Sequence, residues 1–273
     1  MIMHRTRVIT SIVGVLLLIL LIALGNPFVF WLMVSSVIVV GLLEFYKIAR
    51  TRAFPVYELP GVLLGWLLSL APLIASSSQS MILTEFTLTL IVLALFLYAL
   101  LTKRSLSESI PALAITLFGI LYVSWLLSHL VLLRGLSNGK ELVFYVLLVV
   151  WAGDTGAYYT GSYLGQHKLA PVVSPKKTIE GAVGGLIASL LASCIAKWTF
   201  LPLLAYRHCL VLGVLLAVIS QLGDLCESML KRAVNIKDSG TILPGHGGIL
   251  DRLDGVMFAA PVLYYYVMLF LVA

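Results

Sequence analysis

Apolar residues dominate this chain in long runs, and charge, glycine and proline collect in the short gaps between them. Each run approaches the roughly 20 residues an α-helix needs to cross a bilayer, where every backbone N–H and C=O must be satisfied inside the segment. The runs predict spans at residues 8–24, 28–43, 60–76, 82–101, 110–133, 141–163, 179–197, 207–230 and 253–272. The first follows His4, Arg5 and Arg7, as in a signal peptide. It lacks a small-residue cleavage site and the next run opens at Pro27, so it reads as a retained anchor. The expected fold class is all-α, a polytopic integral membrane protein with about nine transmembrane helices. Ser76 to Ser80 is a polar turn, and no soluble domain, low-complexity segment or repeat interrupts the pattern. Two parts are expected: residues 1–139 hold the first five spans, as scaffold and lipid access, and residues 140–273 hold the last four and the chemistry.

Composition agrees with the pattern. The 273 residues are 61% hydrophobic and only 11% charged, with a mean hydropathy of +1.08. A soluble domain is nearer one-quarter charged. The net charge of +6 does not imply a nucleic-acid partner, because the basic residues sit at helix ends. With the N-terminus cytoplasmic, the cytoplasmic gaps hold Arg5, Arg7, Lys47, Arg50, Arg52, Lys103, Arg104, Lys168, Lys176, Lys177, Lys231, Arg232, Lys237 and Arg252. Only Arg134, Lys140, Lys197 and Arg207 fall on the other side. That asymmetry supports both the span count and an inner-membrane protein whose polar stretches face the cytoplasm. Cys194, Cys209 and Cys226 are odd in number and lie within apolar runs without metal-ligand spacing, so they read as packing residues.

Chemistry concentrates late in the chain. The first five spans offer little: Trp31, Trp66 and Trp125 read as interface anchors or packing, and His129 as a packed helix residue. Asp154, in Trp151-Ala-Gly-Asp-Thr-Gly, lies well inside the sixth span. A carboxylate at that depth costs about 2.5–3.5 kcal/mol on insertion scales, so it must face a cavity or a partner. The following loop, Ser174-Pro175-Lys176-Lys177-Thr178, places two ammonium groups and hydroxyls beside a helix start, where free amides and the helix dipole favour phosphate. Asp224, Glu227, Ser228 and Lys231 share one face of the eighth span. From Ser228 to Asp254, charges alternate with Pro244, Gly245, Gly247 and Gly248, a composition that turns tightly and approaches a ligand closely. Carboxylates such as Asp224 and Asp251 suit Mg²⁺, which takes one or two of them plus substrate phosphates, while Lys and Arg neutralise the remaining charge. A cationic pocket at the membrane edge points to phosphoryl or nucleotidyl transfer onto a lipid.

The stretch from Ser228 through Lys231-Arg232, Lys237-Asp238, His246-Gly247-Gly248 and Asp251-Arg252-Leu253-Asp254 resembles the signature of phosphatidate cytidylyltransferases, also called CDP-diacylglycerol synthases. The Ser174–Thr178 loop and the Asp154 region look similar too, so the resemblance covers roughly residues 140–273. It implies CTP plus phosphatidate giving CDP-diacylglycerol and pyrophosphate at the cytoplasmic leaflet, with Mg²⁺, a second, monovalent cation such as K⁺, and a homodimer. Carried over by position, Asp224 and Asp251 form the metal pair with Asp254 beside them, and Lys231, Arg232 and His246 join them as the catalytic set. Lys176 and Lys177 become phosphate contacts. Asp154, Ser174, Thr178, Ser228, Lys237, Asp238, Gly247, Gly248 and Arg252 complete the substrate-binding set.

Two other readings are weaker. Asp251-x-x-Asp254-Gly255 superficially resembles a CDP-alcohol phosphatidyltransferase motif, but no charged residue follows Asp254 to complete it. An anion transporter would suit the intramembrane aspartates, yet there is no inverted repeat and the charge gathers on one side.

Overall fold

The computed structural model describes residues 14, 16–74, 79–240, 242 and 247–271. The chain is helical almost throughout, as expected. After α1 (residues 16–24) come α2 (Pro27–Arg50), α3 (Glu58–Ile74), α4 (Ser80–Leu101), α5 (Leu106–Gly119), a π-helical segment (Ile120–Trp125) and α6 (Leu126–Arg134). Then follow α7 (Gly139–Leu164), β1 (Lys168–Ala170), β2 (Ser174–Thr178), α8 (Ile179–Thr199), α9 (Tyr206–Ala233) and α10 (Leu250–Phe270). Among the described residues, 7 helical stretches are long and apolar enough to cross a membrane, one of them the continuous run Leu106–Arg134, and α3 is a shorter apolar helix. Every expected span from 28–43 onward has its helix, while much of the first, 8–24, lies outside the described residues.

Two boundaries differ from expectation for physical reasons. Helix α2 continues past residue 43 to Arg50, because Glu44, Lys47 and Arg50 ride on its last turns instead of ending it. Its start is fixed by Asn26, whose side chain accepts from Val29 N at 2.9 Å, with Pro27 preset for the first turn. The stretch after α7 is not an irregular loop: β1 and β2 pair antiparallel, with Lys168 opposite Thr178 and Ala170 opposite Ser174.

The chain divides into two compact units, residues 1–137 with 234–252, and residues 138–233 with 253–273. In the first, Leu68, Ile91, Leu95 and Ile120 form a buried cluster joining α3, α4 and the π-helical segment. Tyr46 Oη donates to Thr116 O at 2.9 Å, and Thr116 Oγ1 accepts from Tyr57 N at 2.9 Å, tying α2 and the start of α3 to α5. His129 is fully buried, with Nδ1 2.8 Å from Trp125 O, the packed role expected of it.

In the second unit, α7 and α8 pack backbone to backbone through small residues, and a Cβ at Gly185 would meet Gly153 O at 2.9 Å. Close approach of this kind is what drives helix association where lipid removes the hydrophobic advantage. Polar side chains lock the contact: Ser189 Oγ donates to Val149 O at 2.9 Å, and Tyr145 Oη lies 2.7 Å from Ser193 Oγ. Helix α9 joins through Gln221 Nε2, which donates to Ala182 O at 3.1 Å. The cysteines are free thiols.

Candidate active site

The second unit contains a cavity of about 380 Å³ where α7, α8, α9 and the hairpin converge, with Asp154, Lys176, Lys177, Thr178, Gln221 and Asp224 in its lining. Asp154 is presented by α7 and lines this space together with Lys177 and Asp224. Strand β2 delivers the lysines. Its last residue, Thr178, is the N-cap of α8 and accepts from Gly181 N at 3.1 Å. The hairpin is in turn fastened to the first turn of α8 by Glu180, which accepts from Gln166 N at 3.1 Å and lies 2.6 Å from His167 Nδ1.

Lys177 Nζ reaches Asp224 Oδ2 at 2.6 Å, joining the hairpin to α9. Ser228 Oγ, one turn further along α9, lies 3.4 Å from Asp224 Oδ1. On the same face, Glu227 and Lys231 form a buried ion pair. Asp154 and Asp254 both lie within electrostatic reach of Asp224 and Lys177. Asp254 Oδ1 also accepts from Gly255 N at 2.8 Å. Among the described residues no three His, Cys, Asp or Glu side chains form a ready-made metal cage. The carboxylates nevertheless fit Mg²⁺, since that ion keeps most of its shell for water and substrate phosphate.

The signature stretch beyond α9 belongs to the first unit. Lys237, Asp238 and Arg252 are solvent-exposed, as is Arg232 at the end of α9. Asp251 lies in the first turn of α10, and its Oδ2 accepts from Ser239 N at 2.9 Å and Gly248 N at 2.8 Å, with Ser239 Oγ 3.1 Å away. Gly247 takes φ +86° next to this carboxylate, a conformation that favours glycine. His246 lies outside the described residues. A residue absent from the expected set completes this arrangement: Glu44, on α2, is only 3% exposed and accepts from Ser239 Oγ at 3.0 Å, Ile249 N at 3.0 Å and Leu250 N at 3.1 Å. The only signal in the sequence is a lone carboxylate one position beyond the expected apolar run 28–43.

Comparison with known proteins decides the family. A family model described as the cytidylyltransferase family matches residues 5–270. The chain belongs to the cytidylyltransferase family. Among proteins similar to this member is the phosphatidate cytidylyltransferase of Bacillus subtilis, 34% identical over 269 residues, which cover 97% of this chain and 98% of that one. The phosphatidate cytidylyltransferase of a Synechocystis species is 33% identical, with 98% of each chain covered. That of Staphylococcus haemolyticus is 50% identical over 127 residues, 46% of this chain and 49% of the relative. As a member of this family the protein is an enzyme of nucleotidyl transfer, and its apolar helices make it an integral membrane protein.

Proposed function

We propose that this cytidylyltransferase acts on CTP and phosphatidate, releasing pyrophosphate and leaving CDP-diacylglycerol in the membrane. The observation that carries this reading is the cavity in which two lysines from a hairpin and a helix N-terminus face aspartates at membrane depth. The relatives named phosphatidate cytidylyltransferase match nearly the whole chain, which supports the same substrates.

Lys176, Lys177 and the free amides of the first α8 turn would hold the triphosphate of CTP. A phosphatidate oxygen attacks the α-phosphorus in line; the bond from that phosphorus to the β-bridging oxygen breaks, and pyrophosphate leaves. Phosphatidate is already anionic near neutral pH, so the residues contribute mainly alignment and relief of repulsion between two anions. Asp224 and Asp254 would hold Mg²⁺, which when bound supplies charge neutralisation to the phosphates. The resemblance gives Asp251 a share in the metal as well; its Oδ2 accepts from Ser239 N and Gly248 N, which holds its loop. The resemblance also carries K⁺ and a homodimer into this proposal. The distribution of Lys and Arg supports a cytoplasmic active site and N-terminus.

The test uses the full chain in vesicles. Pyrophosphate release from CTP is expected only with both phosphatidate and Mg²⁺ present, with label from the cytidine recovered in lipid. Release that ignores phosphatidate would overturn the substrate assignment.

A further inference from the structure

The strongest unassigned feature is the carboxylate of Glu44. It projects from a transmembrane helix into the signature loop nearly 200 positions later, and both of its oxygens are occupied by that loop. Oε1 accepts from Ile249 N at 3.0 Å; Oε2 accepts from Leu250 N at 3.1 Å and Ser239 Oγ at 3.0 Å. The side chain is 3% exposed and Ser239 is 4% exposed, so these bonds are made out of water, where a lost partner is costly. The loop is shaped around this group. A Cβ on Gly248 would lie 2.7 Å from Glu44 Oε1, and one on Gly240 would lie 2.8 Å from its Cδ. One turn earlier on α2, a Cβ at Gly41 would press on Leu250 Cδ2 at 3.2 Å, so α2 offers the loop a bare surface as well as an acceptor. Asp251 grips the same segment from the opposite sequence end through Ser239 and Gly248, and Ser239 Oγ lies between the two carboxylates.

We propose that Glu44 is a positioning residue for the reaction: it fixes Ser239 and the backbone of residues 249–250, and with them the neighbouring exposed Lys237, Asp238 and Arg252, which the family resemblance gives to substrate. The proposal rests on the cytidylyltransferase reading for its catalytic consequence, but its structural half stands on the hydrogen bonds alone.

Glu44→Gln is the sharpest probe. It is nearly isosteric, but its amide presents a donor to a backbone N–H that needs an acceptor. In the full chain in vesicles, amides in 247–250 should exchange with solvent at least about tenfold faster than in the unsubstituted protein, while those of α7 and α8 stay unchanged. The KM for CTP should rise about tenfold and kcat/KM fall about 100-fold, the scale at which small misplacements act. A KM shift matters because a smaller folded fraction lowers apparent kcat and leaves KM alone. Should Glu44→Gln not fold, Ser239→Ala removes one of the three donors and should raise the KM for CTP several-fold. Unchanged exchange in 247–250, or a KM for CTP within about twofold of the unsubstituted protein, overturns the proposal. If the unsubstituted protein proves inactive on CTP and phosphatidate, the functional reading falls instead, and exchange still decides whether Glu44 holds the loop.

Discussion

Lys177 and Asp224 form an ion pair in the lining of the proposed substrate cavity. At 2.6 Å and only partly exposed, each neutralises the other, which lowers the cost of holding both charges between apolar helices. An arriving triphosphate would compete with Asp224 for the lysine, while a divalent ion would compete with the lysine for Asp224. Lys177→Met should therefore lower kcat/KM for CTP about 100-fold, the scale of losing one charged contact to a developing anion, with Lys177→Arg recovering part of it. Initial rates of pyrophosphate release check this. Asp224→Asn should raise the Mg²⁺ concentration needed for half-maximal rate, and an unshifted Mg²⁺ curve would remove Asp224 from the ion's shell. At this scale the sequence was informative wherever a charge interrupted an apolar run, as with Asp154, Lys176, Lys177 and Asp224. It was silent on Glu44, whose position just beyond such a run looks the same whether it meets water or a loop.

Among the elements, the hairpin of β1 and β2 matters most for the site, since it sets the height and direction of both lysines. Two attachments hold it: Thr178, which caps α8, and Glu180, which gathers Gln166 and His167. Thr178→Ala should destabilise the start of α8 by about 1 kcal/mol, the usual cost of losing such a cap, read as a lower midpoint in thermal unfolding in detergent. Glu180→Ala should speed amide exchange across 166–178 and raise the KM for CTP, leaving α9 unchanged. The hairpin was not foreseen because β1 has 3 residues and β2 begins Ser-Pro-Lys-Lys, too short and too polar for a period-two signal. Pairing here follows from the anchoring of both ends by α7 and α8. The helices themselves were legible because the bilayer demands an apolar stretch of set length and an internally satisfied backbone.

For the whole molecule, the proposed orientation rests on where the basic residues fall. Helix α8 has 21 residues, and at about 1.5 Å per residue it matches a hydrocarbon core of about 30 Å. Its two ends should therefore open on opposite faces. With Cys194, Cys209 and Cys226 replaced, a membrane-impermeant thiol reagent should label Val172→Cys only from the cytoplasmic face and Leu203→Cys only from the other. Both native side chains are well exposed, at 89% and 87%. Labelling of Val172→Cys from outside would invert the topology. The division into units adds a point that linear order hides: residues 234–252, which carry most of the signature, group with the N-terminal helices and not with the helices that flank them in sequence.

The sequence alone determined the membrane class, the helices and their order, and the residue types available for chemistry, because hydropathy, charge placement and helix length are local properties. Tertiary structure decided which charges meet. The pairing of Lys177 with Asp224, and the capture of the signature loop by Glu44, depend on distances between segments far apart in the chain. No periodicity encodes those distances; they are fixed only when the packed helices bring a buried acceptor to the donors that need it.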